Sequence, residues 1–232
     1  MGGDVEIYGN GPGTTTTTNC IWIGDNGTLL VDGNANIHDN TANPTVLSDG
    51  QCVFADNAKI EKNNSKNSPV VTVRNGELTI KDKASVSNNV SEGTNGVGIK
   101  VAAGKKLNVL GGYITNNTVY KTNGVYDRGA GVYLETKDSI LNIGGNATIF
   151  GNKIYMVESA EKVTEDTDFA DVDIDLYDSR ILNVVSSLTT DGYIGIFSSK
   201  EITDGTILVK GNESYTLTES DLEKIKYKTE TG

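Results

Sequence analysis

The chain is poor in the residues that build wide globular cores and cross-linked folds. Of its 232 residues only 6% are aromatic, three are proline, two are cysteine and one is histidine. Two cysteines are too few for a disulfide scaffold, and the sequence contains no apolar run of about 18 residues, which a membrane-spanning helix requires. The single histidine has no cysteine or acidic partner at a metal-binding or catalytic spacing. We therefore expect no metal site, no cofactor and no direct membrane insertion.

Positive charge is also scarce. Lysine and arginine together number 20 against 31 aspartates and glutamates, so the formal net charge is −11. Proteins that bind nucleic acid or anionic membranes need a basic surface. The composition therefore argues against both partners.

The most regular feature of the sequence is a motif that occurs five times. In each copy a small residue and an alternate aliphatic are followed, three positions later, by asparagine, and successive aliphatics lie 23, 26, 28 and 35 residues apart. Self-similarity at this period is typical of solenoids. The copies are Ala35-x-Ile37 with Asn40, Ala58-x-Ile60 with Asn63, Ala84-x-Val86 with Asn89, Gly112-x-Ile114 with Asn117, and Ala147-x-Ile149 with Asn152.

Two further short segments with period-two alternation precede each motif, which indicates three short strands per unit. One such unit cannot bury its apolar face, but stacked units share a continuous apolar column. We predict an all-β fold, a parallel β-helix of five to six coils with a β-rich C-terminal cap, and the handedness rule favours the right-handed form. The segments are Ile21-x-Ile23, Thr45-x-Leu47, Val71-x-Val73, Ile99-x-Val101 and Val132-x-Leu134, then Leu29-x-Val31, Cys52-x-Phe54, Leu78-x-Ile80, Leu107-x-Val109 and Leu141-x-Ile143.

The repeated asparagine fits a corner between two strands. Asparagine tolerates the left-handed backbone region better than any residue except glycine, and stacked amides can hydrogen-bond to one another. We predict that Asn40, Asn63, Asn89, Asn117 and Asn152 occupy the left-handed corner and form a structural ladder. On this basis replacing Asn89 by alanine costs roughly 1 to 2 kcal/mol.

The pattern divides the chain into three parts. Residues 1–19 form an N-terminal lead-in strand and loop, residues 20–170 form the coils, and residues 171–232 form a degenerate last coil and a cap, since terminal repeats of solenoids are atypical. A separate domain after a linker is the alternative for the last part. We also expect a short helix near 220–225 with Ser220 as its cap. Neighbouring repeats of a longer chain are expected partners.

Two stretches carry a resemblance to a known family. The segment 129–134 (GAGVYL) with 141–152 (LNIGGNATIFGN) resembles the repeat of adhesin-type surface proteins of Gram-positive gut bacteria, which have a pectate-lyase-like parallel β-helix. The stretch from 173–176 (DIDL) through 182–184 (LNV) to 194–196 (IGI) resembles the segment that closes such arrays. The first three coils lack the glycine-rich strand of those repeats. The resemblance implies an extracellular or cell-wall location and a non-catalytic module, either an adhesin-like binding unit or a structural stalk.

The alternative is a polysaccharide-active enzyme or its ancillary carbohydrate-binding fragment. Glycoside hydrolysis usually needs two carboxylates, yet the fifteen residues predicted to point outward between the inward pairs include none. We therefore expect no catalytic residue. The outward line predicted for the first strand of each coil is Trp22, Val46, Thr72, Lys100 and Tyr133.

Binding is expected where the repeat is interrupted. The connections after the asparagine corner lengthen along the chain, and binding residues concentrate on such loops. Exposed tyrosines there can stack on sugars or contact proteins, which predicts a glycan or a host or bacterial surface protein as partner. The acidic residues between 158 and 168 favour a neutral or cationic partner. The alternative is that the tyrosines pack the loops against the rod. The candidate binding residues are Tyr113, Tyr120, Tyr126, Tyr133 and Tyr155.

Overall fold

The structure, a computed structural model, describes residues 1–11, 19–93, 98–121, 128–176, 178–189 and 191–228. Short strands dominate these residues, with one turn of 3₁₀-helix at Ala160–Lys162 and one short α-helix, α1, at Glu219–Glu223. In chain order the strands are β1 (Glu6–Tyr8), β2 (Ile21–Ile23), β3 (Thr28–Val31), β4 (Asn36–His38), β5 (Val46–Ser48), β6 (Gln51–Phe54), β7 (Lys59–Glu61), β8 (Asn64–Lys66), β9 (Val71–Val73), β10 (Glu77–Ser87), β11 (Val90–Glu92), β12 (Ile99–Val101), β13 (Lys106–Thr115), β14 (Thr118–Tyr120), β15 (Val132–Leu134), β16 (Ile140–Gly145), β17 (Thr148–Phe150), β18 (Lys153–Tyr155), β19 (Phe169–Asp171), β20 (Ile174–Asp175), β21 (Leu182–Leu188), β22 (Ile194–Phe197), β23 (Val209–Gly211) and β24 (Ile225–Lys228).

Equivalent strands of successive coils pair in parallel and stack into four faces, so the fold is a parallel β-helix. Strands β10 and β13 run through the corner between the second and third faces. Face 1 contains β2, β5, β9, β12, β15 and β20; face 2 contains β3, β6, β10, β13, β16, β21 and β23; face 3 contains β1, β4, β7, β10, β13, β17, β22 and β24; face 4 contains β8, β11, β14 and β18, with β19 paired antiparallel at its end.

The predicted aliphatic column is confirmed. The repeated aliphatics of face 3 are register partners from coil to coil, and each of the five is at most 1% exposed. The file continues at both ends, with Ile7 below and Ile194 above. Stacking therefore gives each inward side chain apolar neighbours directly above and below it. The file contains Ile37, Ile60, Val86, Ile114 and Ile149.

Face 4 was not predicted from the sequence. It follows the asparagine corner directly, in segments interpreted above as the start of the connections. Its inward residues change from Ser65 and Ser91 in the lower coils to Val119 and Ile154 in the upper ones, and all four are buried. From the second coil to the fifth, the connection to the next coil therefore begins only after a fourth strand.

The predicted register of one strand is wrong by one residue. In β5 the inward residues are Val46 and Ser48, because Val46 pairs with Ile21 below and Val71 above. The predicted inward residue Leu47 instead lies in the outward line, between Trp22 and Thr72. A one-residue shift moves every side chain of a strand to the other side.

The left-handed corner residue is also shifted from its prediction. Positive φ angles occur one position before each ladder asparagine, where any side chain points to solvent and the chain turns into face 4. The ladder asparagines themselves have ordinary backbone angles, so their recurrence reflects side-chain hydrogen bonding alone. The corner residues are Asp39 (φ 51°), Lys62 (φ 55°), Asn88 (φ 55°), Asn116 (φ 56°) and Gly151 (φ 73°).

The predicted asparagine ladder is confirmed, and it has a direction. The side-chain Nδ2 of each asparagine donates to Oδ1 of the next one up, at 2.8 to 3.0 Å. Each backbone N–H donates to the same oxygen, and each Nδ2 also donates to a backbone carbonyl of the coil below, as from Asn89 to Ile60 at 2.9 Å. All five asparagines are buried. Their amides are thus aligned head to tail along the rod, an arrangement in which hydrogen bonds polarise one another.

Two further residues complete the ladder. At the lower end Asn10 donates to Asn40 Oδ1 at 2.9 Å, so the lead-in segment supplies a partial coil with β1 and this asparagine. At the upper end Asp173 Oδ1 accepts from both the backbone N–H and Nδ2 of Asn152, each at 2.8 Å. A carboxylate accepts hydrogen bonds and has no N–H group that would need a further acceptor. It therefore suits the last position of a ladder in which every amide donates upward.

The C-terminal residues continue the coil and then close it. Strands β20, β21 and β22 form one more coil, and β23 and β24 pair onto β21 and β22. The helix predicted near 220–225 is present, but its cap is Thr218 and not Ser220. Thr218 Oγ1 accepts from Asp221 N at 3.3 Å, and Asp221 Oδ2 accepts from Thr218 N at 2.9 Å, which is a capping-box arrangement.

The ladder terminus predicts a specific pH dependence. Burial raises the pKa of the Asp173 carboxyl from 3.8 to about 6, although Asn152 and Lys228 favour its ionised form. The folded protein therefore holds this proton more tightly than the unfolded chain, so the stabilising contribution is present below pH 3.8 and is lost as the pH rises through about 6. Asp173→Asn keeps the acceptor oxygen and removes the titration. We expect the wild type to lose up to about 3 kcal/mol more stability than Asp173→Asn between pH 4 and 7, measured by urea unfolding.

The matched control is Asp171→Asn. Asp171 contacts the same lysine, with its Oδ2 3.2 Å from Lys228 Nζ, but it is only half-buried and lies outside the ladder. We expect this variant to retain most of the wild-type pH dependence. Parallel stability curves for the wild type and Asp173→Asn would contradict the role given to the terminal carboxyl.

Candidate functional site

The candidate tyrosines do not form one surface. Tyr133 lies on face 1, Tyr113 on face 3, and Tyr120 and Tyr155 on face 4. Tyr126 lies outside the described residues.

The face 4 tyrosines belong to an aromatic column. Tyr120 and Tyr155 are register partners with ring centroids 5.8 Å apart, and Phe169 of β19 stacks next at 5.4 Å. Tyr120 is only 8% exposed, and burial raises the pKa of its hydroxyl. Lys153 Nζ lies 4.8 Å from the Phe169 ring centroid. Tyr120 therefore offers a ligand little free area, whereas Phe169 at the end of the column is 51% exposed.

The outward positions of face 1 form a line of side chains with varied chemistry. From bottom to top it contains aromatic, aliphatic, hydroxyl, cationic, aromatic and acidic side chains in consecutive coils. The acidic residue at the top of this line belongs to the additional coil. The prediction that the outward positions carry no carboxylate did not include that coil. The line is Trp22, Leu47, Thr72, Lys100, Tyr133 and Asp175.

A cavity of about 200 Å³ lies on this face and is called the Tyr133 cleft. It is lined by Pro69, Lys100, Arg128, Tyr133 and Glu135. Lys100 Nζ lies 2.5 Å from Glu135 Oε1, and Ala103 N donates to Glu135 Oε2 at 3.3 Å. The hydrogen bond from Lys100 lowers the pKa of Glu135. Glu135 is thus held as a carboxylate that fixes the lysine at the edge of the cleft.

Two arginines flank the ring of Tyr133. The guanidinium carbons of Arg128 and Arg180 lie 5.5 and 5.8 Å from its centroid, within cation–π range. Arg180 is 4% exposed and donates from Nε to Leu134 O at 2.5 Å and from Nη2 to Glu135 O at 2.8 Å. Arg180 therefore supports the strand behind the ring, whereas Arg128 is half-exposed at the cleft.

Asp175 anchors the segment that carries Arg128. Its carboxylate is fully buried and accepts from Arg128 N at 3.1 Å, from Ser199 N at 3.1 Å and from Ser199 Oγ at 3.0 Å. Burial raises the pKa of Asp175. These bonds tie the chain before β15 to the chain after β22, so the cleft is fixed from behind by the last coil.

A second cluster lies lower on the same side of the molecule. Trp22 is 64% exposed and donates from Nε1 to Asp49 Oδ2 at 2.8 Å, while Arg74 donates to both oxygens of Asp49 at 2.7 and 2.5 Å. The hydrogen bond from Arg74 lowers the pKa of Asp49. The three arginines of the chain, Arg74, Arg128 and Arg180, thus all lie beside face 1.

These residues were partly visible in the sequence. Each arginine lies within a few positions of a face 1 strand, and this shared position could have identified the face. The contacts that assemble the cleft join residues 32 to 47 positions apart, so no local motif marks them.

Other chemistries lack support in the described part of the chain. Among the described residues no group of three or more histidine, cysteine, aspartate or glutamate side chains is placed to hold a metal ion. Cys20 and Cys52 are free, and burial raises the pKa of Cys52 to about 12. None of the helices in the described ranges combines the length and apolar character needed to cross a bilayer.

Together the fold and the cleft define a class: a parallel β-helix solenoid with an aromatic, cation-bearing cleft on one outward face. Comparison with protein-family models, with curated proteins and with solved structures finds no match for this chain.

Proposed function

We propose that this chain is a non-catalytic binding module of a secreted or cell-surface protein, and that the Tyr133 cleft binds a saccharide bearing a carboxylate. The observation that carries the proposal is the position of Lys100 and of the half-exposed Arg128 in one cleft with the Tyr133 ring, in a chain with a net charge of −11. The adhesin-like character and the extracellular location rest on the family resemblance of residues 129–152.

The chemistry of the cleft favours an anionic sugar. A tyrosine ring offers apolar area for the C–H face of a sugar, and a guanidinium forms bidentate, charge-assisted bonds with a carboxylate. The Lys100–Glu135 pair adds a second charged edge that can exchange hydrogen bonds with sugar hydroxyls. The proposal departs from the expected neutral or cationic partner, because the acidic residues behind that expectation lie between 158 and 168 and do not line the cleft.

The rigidity of the site supports recognition. Tyr133 lies on a strand with hydrogen-bonded neighbours on both sides, Arg180 braces it from behind, and Asp175 holds the Arg128 segment. A side chain fixed before binding loses less conformational entropy when the ligand arrives. The rod therefore presents the cleft as a preformed surface.

The carboxylates near the cleft are poorly suited to acid–base catalysis. Glu135 is paired with Lys100, which lowers its pKa, and a general acid needs the opposite shift. Asp175 is fully buried and accepts three hydrogen bonds from protein groups. We therefore favour binding over turnover, and the alternative of a polysaccharide-active enzyme predicts cleavage products after incubation with the same saccharides.

The test is a glycan array that includes uronate-bearing, sialylated, sulfated and neutral saccharides. We expect retention of carboxylate-bearing saccharides, and at least a tenfold loss of affinity in Arg128→Ala because a charge-assisted bond is removed. Retention should weaken as salt increases. Lys59→Ala is the matched control, since it removes one positive charge from the exposed outward side of face 3.

Three results would overturn the proposal. Binding that is equal in Arg128→Ala and the wild type would remove the cleft assignment. Retention only of a host or bacterial surface protein would replace the saccharide with a protein partner. No retention of any kind would favour a structural stalk.

A further inference from the structure

A second cavity lies on face 3, away from the Tyr133 cleft. It has a volume of about 360 Å³, which is within the range of small-ligand sites. Tyr113 of β13 and Thr148 of β17 are register partners on its floor. The remaining lining residues are Asn146, Phe150, Thr189, Asp191 and Gly192. We call this cavity the Tyr113 pocket.

Aromatic side chains provide the apolar part of the pocket. Tyr113 is 37% exposed, so much of its ring surface is accessible to a ligand. Phe150 is half-buried and its ring lies 5.0 Å from that of Tyr193, tilted by 36°. Tyr193 therefore packs against Phe150 and supports its ring. The pocket thus presents two aromatic side chains from adjacent coils.

The polar part of the pocket is uncharged except for one carboxylate. Asn146 offers an amide, Thr189 offers an exposed hydroxyl, and Asp191 is an exposed acid, whereas Thr148 is buried and its Oγ1 donates to Asn146 O at 3.4 Å. Among the described residues that line the pocket there is no lysine or arginine. An amide, a hydroxyl and a carboxylate match the alternating donors and acceptors of adjacent sugar hydroxyls, whereas an anionic ligand would meet Asp191 without a compensating cation.

The segment that contains Thr189 and Asp191 forms one wall of the pocket. Hydrogen bonds hold the first residues of this segment to the rest of the fold. Thr189 N donates to Gly145 O at 2.8 Å, and Leu188 N donates to Asp221 Oδ1 at 2.8 Å. On its other side Ile149 N donates to Tyr193 O at 3.2 Å. The pocket is therefore shaped by the same cap that closes the coil.

We infer that the Tyr113 pocket is a second binding site, specific for a neutral saccharide. The ring of Tyr113 takes the apolar face of a sugar, and Asn146 and Asp191 take its hydroxyls. A cationic side chain of a peptide could also stack on the rings, but two uncharged polar groups beside the one carboxylate favour sugar hydroxyls. The inference does not depend on the proposed function of the Tyr133 cleft, because the pocket lies on another face and takes a ligand of different charge.

The experiment is titration calorimetry with neutral oligosaccharides found on the glycan array, with a lysine-rich peptide as competitor. We expect Tyr113→Ala and Asp191→Ala each to weaken binding of the neutral oligosaccharide at least tenfold. Arg128→Ala should leave it unchanged, and binding should be insensitive to salt. Both pocket positions are exposed, so unchanged thermal unfolding of the variants would show that the fold is intact.

Failure of this inference is separable from failure at the Tyr133 cleft. The inference is overturned if no neutral saccharide is retained, if Tyr113→Ala binds as the wild type does, or if the lysine-rich peptide binds and displaces the sugar. Loss of neutral-saccharide binding in Arg128→Ala with retention in Tyr113→Ala would move that ligand to the Tyr133 cleft. Loss of carboxylate-bearing ligands alone would affect only the earlier proposal.

Discussion

Replacing Ile60 with aspartate is expected to abolish the cooperative folding of the chain. Ile60 is fully buried in the face 3 file, with Ile37 below it and Val86 above it. A carboxylate at this position has no hydrogen-bond donor within the aliphatic column, and an unpaired buried charge costs about 5 kcal/mol or more. That loss is comparable with the whole stability of many domains. Circular dichroism and urea unfolding should show a chain without a native baseline.

Lys59→Asp is the control for this experiment. It places the same carboxylate one residue earlier on the same strand, where the side chain is exposed. We expect a change of about 1 kcal/mol or less, since exposed charges contribute little. Equal effects of the two substitutions would contradict the inward and outward assignment of β7 and with it the stacking of the coils.

Replacing Asn89 with alanine is expected to destabilise the fold by about 3 to 5 kcal/mol, more than the sequence predicted. Four hydrogen bonds are lost at this rung. Asn63 N and Nδ2 lose their acceptor, while Ile60 O and Asn117 Oδ1 lose a donor. Because the rung is buried, solvent cannot readily replace these partners. Urea unfolding monitored by circular dichroism measures the difference.

The adjacent Asn88 provides a matched comparison. It has a φ of 55° and its side chain is exposed. Asn88→Gly keeps the left-handed corner and should change stability by less than about 1 kcal/mol. If Asn88→Gly were as damaging as Asn89→Ala, the asparagine repeat would reflect the backbone of the corner and not the side-chain ladder.

The coil itself could be predicted because its determinants are local and repeated. An aliphatic at every second position and an asparagine three residues later recur in five coils, so each copy reinforces the others. The partial coil of the lead-in segment has the same spacing from Ile7 to Asn10, but its motif begins with Val5 and not with a small residue. At the end of the ladder, Asp173 supplies the same acceptor oxygen as an asparagine but has no amide nitrogen. Because it is not asparagine, the repeated motif does not identify it.

Face 4 escaped prediction because its strands lack an apolar alternation in the lower coils. Asn64–Lys66 and Val90–Glu92 place serine inward, and serine there is indistinguishable from a loop residue in the sequence. Ser65 Oγ and Ser91 Oγ instead donate to the carbonyls of Ala42 and Ser68. Hydrogen bonds of this kind stabilise an inward position without leaving a hydrophobic signal.

The register of β5 was ambiguous for a different reason. The stretch Thr45–Ser48 has two apolar residues side by side, so alternation fits either phase. The pairing of Val46 with Ile21 and Val71 decides the register, and that pairing depends on the whole coil.

The Tyr133 cleft shows the same limit of prediction from the sequence. Tyr133 was a candidate from its position, but Arg128, Arg180 and Asp175 meet it only because the last coil stacks above β15.

The one-way amide ladder gives the rod an intrinsic polarity that governs how it can be lengthened. Each interior rung both receives and donates, so a duplicated 26-residue coil spliced between Asn63 and Asn89 would find a complete set of partners and extend the molecule by about 4.8 Å. A coil grafted beyond Asp173 would meet a carboxylate that, once ionised above a pH of about 6, accepts hydrogen bonds and donates none. Growth of such a molecule by gene duplication is therefore easiest in its middle, and the ladder ends at Asp173 because aspartate lacks the amide nitrogen.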